Sequence, residues 1–436
     1  LREILKKALD LRGLELEEVA ALTAISDPEL LGELYATARQ VKEQIYGRRL
    51  VLFAPLYVSN LCRNECLYCA FRARNRAVQR RALTQEEIAD EVRVLVEQGH
   101  KRILLVAGEA YPREGFAYIL KSIATVYSVK SGRGEIRRVN VNIAPLTLEE
   151  FKQLKAARIG TYQLFQETYH RATYAAVHVA GPKRDFDWRI TAPDRAMRAG
   201  IDDVGIGVLF GLWDWRFELL ALLQHIRHLE RRFGIGPHTI SVPRLEPAVG
   251  STLASQPPKP VSDVDFRKLV AILRMAVPYT GLILSTRETP NLRRETFALG
   301  VSQISAGSRT NPGGYRQGEE LDRSQFALGD HRSLDEVIRD VAALGYIPSF
   351  CTACYRLGRT GADFMDLAKP GKIKRFCDPN ALSTFLEYLL DYASPATRTV
   401  GAALLDKVLA ELPPALRQRT ARMLARVRAG ERDVYC

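Results

Sequence analysis

The chain has 436 residues, 47% of them hydrophobic, and its 63 Lys and Arg outnumber 50 Asp and Glu to give a net charge of +13. That length serves one large α/β domain with an appendage, or two to three ordinary domains, and the apolar fraction is that of a globular protein. No run approaches the ~18 consecutive apolar residues of a membrane helix, and the basic residues are spread along the chain without interleaved stacking aromatics, which argues against a nucleic-acid partner.

The opening residues, starting at Leu1 rather than Met, read as a charged amphipathic helix and not as a signal peptide, so a cytoplasmic location is expected. Residues 1–45 read as helices: Leu16, Val19 and Leu22, then Leu30, Leu31 and Leu34, recur at helical spacing, and Asp27-Pro28 suits a helix start. Strand-like runs follow at 51–58, 102–107, 138–143, 160–165, 203–208, 238–243, 281–285 and 301–305. Amphipathic helical patterns at 84–98, 147–156, 214–232, 263–277 and 291–299 separate them. Eight strands alternating with helices predict an α/β fold, a (β/α)8 TIM barrel over 46–324. The remainder, 325–436, is predicted to be a mainly helical extension with an Arg-rich last helix.

Active sites of such barrels gather at the C-terminal ends of the strands. Cys62 follows the first strand, Gly108-Glu109 ends the second, Gln166-Glu167 the fourth, and Ser308-Arg309 follows the eighth, so these segments are expected to converge.

Seven cysteines divide into two triads, 62/66/69 and 351/354/377, and a terminal Cys436 read as a free, mobile thiol. So few cysteines in so long a chain do not make a secreted disulfide framework. Cys62, Cys66 and Cys69 have the spacing Cys-x3-Cys-x2-Cys, three thiolates close enough to hold three corners of one cubane. A four-iron cluster normally takes four thiolates, so three leave one iron open, as an open position serves a catalytic metal. The amino and carboxylate groups of S-adenosylmethionine (SAM) can chelate that iron. An electron from the cluster then breaks a C–S bond and yields a 5′-deoxyadenosyl radical. A zinc site with a distant fourth ligand is the competing reading. Cys351-x2-Cys354 with the remote Cys377 suits zinc and a second open cluster equally well on spacing alone.

The first triad, with Tyr68 before its last cysteine, resembles the signature of the radical SAM superfamily. The resemblance implies that Gly108 and Glu109 meet the methionine amino group, and that Glu167 and Arg189 contact the ribose and methionine carboxylate. On the residues alone, a Glu at a strand end is as often a surface ion-pair partner. The stretches 166–169 (QETY), 238–244 (HTISVPR), 284–288 (LSTRE) and 305–309 (SAGSR) resemble the radical SAM tyrosine lyases. Within that group, 350–361 (FCTACYRLGRTG) with Cys377 resembles the iron–iron hydrogenase maturases.

That resemblance implies a carbon–carbon lyase that splits the Cα–Cβ bond of L-tyrosine into p-cresol and dehydroglycine. A second 4Fe-4S-type cluster on Cys351, Cys354 and Cys377, with an additional iron held by a histidine, would turn the fragment into iron-bound CO and cyanide. It implies a ferredoxin or flavodoxin as reductant, and other hydrogenase maturation proteins as partners. His238, which begins a strand-like segment, is the candidate iron ligand, against the ordinary structural role of a lone histidine. Arg can grip a substrate carboxylate in a bidentate geometry. Arg309, with Ser308 beside it, is the first candidate anchor and Arg244 the second, each against a structural salt bridge. The alternatives are the sister tyrosine cleavage of thiamine thiazole synthesis and a non-catalytic cluster carrier.

Overall fold

The computed structural model describes residues 1–318 and 323–436. Its centre is a closed barrel of β1 (Arg49–Ser59), β2 (Arg102–Ala107), β3 (Arg138–Asn142), β4 (Tyr162–Glu167), β5 (Val204–Val208), β6 (Thr239–Ser241), β7 (Gly281–Leu284) and β8 (Val301–Ser305). Neighbours run parallel in that order, and β8 returns to β1 through Val51↔Gln303 and Phe53↔Ser305. Strands covered on both faces need no polar alternation, and β1 (RLVLFAPLYVS) is buried along nearly its whole length. The predicted helices start where their caps stand. Thr84 and Thr147 each accept from the backbone of a Glu three residues on, which bonds back to the cap's own N–H. Asp27 caps the helix Pro28–Tyr46, with Pro28 in its first turn.

Apolar layers between strands and outer helices form the core. The N-terminal helices belong to it: Leu22, Leu34 and Val41 are fully buried, and Pro28–Tyr46 packs on the barrel helices Asp263–Ala276 and Pro290–Leu299.

The region beyond the barrel adds something the sequence reading did not anticipate, a ninth strand, β9 (Ile347–Ser349). It runs parallel to the start of β1, pairing Arg49↔Ile347 and Val51↔Ser349, whereas β2 takes up the same edge only from Ala54 onward. β1 is long enough to serve both. The chain emerging from β9 is thereby tucked under β2 at the N-terminal end of the barrel, where Arg102 donates to the Cys351 carbonyl at 2.9 Å. The helices Lys374–Asp391, Pro395–Glu411 and Pro414–Arg428 pack behind it. Among the described residues no helix is long and apolar enough to cross a membrane.

Candidate active site and a second donor set

The C-terminal end of the barrel opens into a cavity of about 1430 Å3, mouth included, lined by Cys62, Cys66 and Cys69. Their loop is fixed from within. Asn60 donates to the Gln79 carbonyl at 2.8 Å and accepts from the Arg81 N–H at 2.6 Å, closing the loop at its base. Arg80 reaches the carbonyls of Asn60, Phe71 and Arg72. Gly108 lets β2 pass beside it: a Cβ there would lie 2.2 Å from the Leu61 carbonyl oxygen, and the Gly108 N–H donates to Ser59. Burial pushes all three thiols up, Cys69 to about 11. Thiolates form here only with a positive charge among the sulfurs, which iron supplies. Among the described residues no three Cys, His, Asp or Glu close around a point as on a single ion. A cubane asks for less, one thiolate at each of three separate corners. The donor set fits such a cluster.

Glu109, Glu167 and Arg189 meet beside this loop. Arg189 binds Glu109 at 2.9 Å, Glu167 at 3.4 Å and the Phe165 carbonyl at 2.8 Å. Burial works against its charge, but Glu109, Tyr174 and Glu167 hold its pKa above the usual range. Burial likewise opposes the Glu109 carboxylate, and Arg189 and Lys183 hold it below the usual range. Glu167 sits at φ 72°, where the β4–β5 register shifts. For a non-Gly residue this is the sparsely populated left-handed region, typical of functional sites.

Lys183, which the sequence reading passed over, completes the group. Its ammonium lies 2.6 Å from Glu167, in the same cavity wall as the cysteines. It follows no strand of the barrel, only the short strand His178–Ala180 that pairs with Glu65–Cys66, so placement at a barrel strand's end could not have found it.

The two arginines expected to anchor an amino-acid carboxylate are not among the residues that line the cavity. The Arg244 guanidinium is taken up by Glu288, Asp263 and the Val261 carbonyl, so it clasps the segments after β6 and β7 together. Arg309 turns back on the Ser308 carbonyl at 2.9 Å. Ser308 is buried and likewise absent from the lining. The cavity holds Arg287 instead, three residues past β7 and stacked 3.2 Å from the Phe326 ring centroid, with Glu246 near it. Position just after a strand end, the signal that selected Glu109, would have selected Arg287 too.

The second triad lies at the opposite end of the barrel. Cys351, Cys354, Cys377 and His238 line one cavity of about 580 Å3, mouth included, together with Arg49, Arg102 and Asp203. His238 and Asp203 precede β6 and β5, which puts them at the N-terminal rim. The buried His238 Nδ1 has no hydrogen-bond partner and stands 3.6 Å from Asp203. Burial lowers its pKa, leaving a neutral ring with a lone pair to give. Burial pushes Cys354 up to about 11 and Cys377 further. Three thiols and an orphaned imidazole suit iron. Cys436 is tied down rather than mobile: its N–H donates to Asn380 at 2.8 Å and its carbonyl accepts from Arg359 at 2.8 Å.

The sequence patterns of the Radical SAM superfamily and of the Biotin and Thiamin Synthesis associated domain match residues 56–222 and 241–347. The 2-iminoacetate synthase of Escherichia coli (strain K12) is 34% identical over 348 residues, 79% of this chain and 88% of that one. Among solved structures, HydG, a maturase of the FeFe-hydrogenase, is 52% identical with a TM-score of 0.96, covering 100% of this chain and 94% of that one. The HydG from Carboxydothermus hydrogenoformans is 46% identical, with a TM-score of 0.85 over 97% and 93%. A radical SAM domain implies a four-iron cluster and SAM, which the first triad and its acid–base neighbours suit. The chain is a radical SAM enzyme and belongs to the family of the FeFe-hydrogenase maturase HydG.

Proposed function

We propose that the chain is a tyrosine lyase of the HydG kind, releasing p-cresol at the C-terminal end of the barrel and turning the dehydroglycine fragment into iron-bound CO and cyanide at the other. The observation that carries this reading is the pair of donor sets, three cysteines at each end of one barrel, in a chain 52% identical to HydG over its full length. Bound at Cys62, Cys66 and Cys69, the cluster and SAM supply the hydrogen-abstracting radical. Gly108 and Glu109 serve the methionine amino group, and Glu167 and Arg189 the ribose and carboxylate, with Lys183 holding Glu167 in place. Arg287 takes the tyrosine carboxylate in place of Arg309 and Arg244. At the far end, Cys351, Cys354 and Cys377 hold the second cluster and His238 the additional iron. A ferredoxin or flavodoxin delivers the electron, and other hydrogenase maturation proteins receive the product.

The 34% identity to 2-iminoacetate synthase favours a second reading, tyrosine cleavage for thiazole synthesis. Anaerobic reconstitution with iron counting, electron paramagnetic resonance with and without SAM, and product analysis separates them. CO and cyanide beside p-cresol support the proposal. p-Cresol with glyoxylate supports the second reading, and a loaded protein without turnover overturns both.

A further inference from the structure

In the upper cavity most charged groups are committed to one another. Glu109, Arg189, Glu167 and Lys183 form one connected set at the cluster loop. Arg244 and Glu288 satisfy each other behind the wall. Two opposite charges in the lining are left over. Among the described residues neither the Glu246 carboxylate nor the Arg287 guanidinium has a hydrogen-bond or ion-pair partner, although each feels the other electrostatically. Glu246 stands on the segment after β6 and Arg287 on that after β7, adjacent staves of the barrel. The same cavity is lined by the aromatic rings of Tyr57, Phe71 and Phe326. One cation and one anion, neither with an ion-pair partner and both lining an aromatic chamber, complement the zwitterion of an aromatic α-amino acid.

Stoichiometry adds a demand on that anion. Tyrosine enters with three hydrogens on a positively charged nitrogen; dehydroglycine, written as the neutral imine HN=CH–COO−, keeps one. Of the two lost, one leaves with its electron and the other leaves as a proton. We infer that Glu246 binds the α-ammonium of the substrate opposite Arg287 on its carboxylate, and takes that proton. In this step one N–H bond breaks, an O–H bond forms on Glu246, the electron pair stays on nitrogen, and total charge is unchanged. The inference rests on the tyrosine reading above. Burial and the neighbouring Glu288 push the Glu246 pKa up to about 7, against the pull of Arg287 and Arg244. That brings Glu246 closer to an α-ammonium than an ordinary carboxylate at about 4.3 stands, and makes it the stronger base for the proton.

The test uses the reconstituted holoenzyme with SAM, in wild-type, Glu246→Gln and Arg287→Gln forms, after iron counting. Three ligands are titrated: L-tyrosine, its desamino analogue 3-(4-hydroxyphenyl)propanoate, and its decarboxylated analogue tyramine. Glu246→Gln should weaken L-tyrosine and tyramine about ten- to hundredfold and leave the desamino analogue unchanged, whereas Arg287→Gln should spare tyramine alone. In the wild type, p-cresol formation should fall as pH drops through about 7, where Glu246 gains its proton, and this limb should vanish in Glu246→Gln. Equal losses for all three ligands, or tyrosine binding and a pH limb unchanged in Glu246→Gln, overturn the inference. A wild-type holoenzyme that makes no p-cresol overturns the tyrosine reading instead.

Discussion

Gly108→Ala tests whether the passage of β2 beside the cluster loop governs the chemistry. The added Cβ would stand 2.2 Å from the Leu61 carbonyl oxygen and 2.9 Å from its carbon, both backbone atoms. Ordinary carbon–oxygen contact needs roughly 1 Å more, and no side chain can swing away to provide it. Leu61 immediately precedes Cys62, so relief comes from moving the first cluster ligand. Overpacking of this kind costs about 1–3 kcal/mol, which a barrel with so large a core survives. A displacement of ~1 Å at reacting groups costs about a hundredfold in rate. The expected result is a folded protein with a small loss of thermal stability, and reductive SAM cleavage, read as 5′-deoxyadenosine, down about a hundredfold. Gly32→Ala is the control, because it lies inside a helix with nothing within 4 Å of the new Cβ; it should be neutral or stabilising by up to ~1 kcal/mol. Wild-type deoxyadenosine formation in Gly108→Ala would refute the reasoning.

Replacing Cys351, Cys354 and Cys377 with Ala should leave 5′-deoxyadenosine and p-cresol intact and abolish CO and cyanide; loss of p-cresol with the first cluster loaded would break the division of labour. Lys183→Met leaves the Glu167 carboxylate with Arg189 alone, 3.4 Å away. That should cost about 3 kcal/mol in stability by thermal unfolding and weaken SAM about tenfold or more by equilibrium titration; unchanged SAM affinity would count against its place in the site. His238→Ala should lower iron content by one per chain and leave p-cresol formation at the wild-type rate. Unchanged iron would make His238 structural, held by Asp203, Phe364 and Tyr355.

Much of this protein is legible along the chain because the signals are local. The alternation of strand and helix that makes a closed parallel barrel is written in periodicity and caps, and Thr84 and Thr147 cap their helices next to where the patterns begin. The cubane spacing of Cys62, Cys66 and Cys69 is a property of eight consecutive residues. Strand-end position alone brought Glu109 and Glu167 to one cavity, since in a barrel every strand's C-terminal end faces the same way.

What the chain could not show depends on partners far apart in it. Arg244, Arg287 and Arg309 all follow barrel strands and look alike in sequence. What sets them apart is Glu288 and Asp263 closing on Arg244, and Arg309 folding back on Ser308, while Arg287 stays in the cavity lining. Lys183 reaches Glu167 from a segment that follows no barrel strand. The position of the second triad, at the opposite end from the first, came from β9 pairing with the early residues of β1, a contact across some 300 residues. Local spacing names the groups able to do chemistry, but the charge each one keeps is set by neighbours that only the closed barrel assembles.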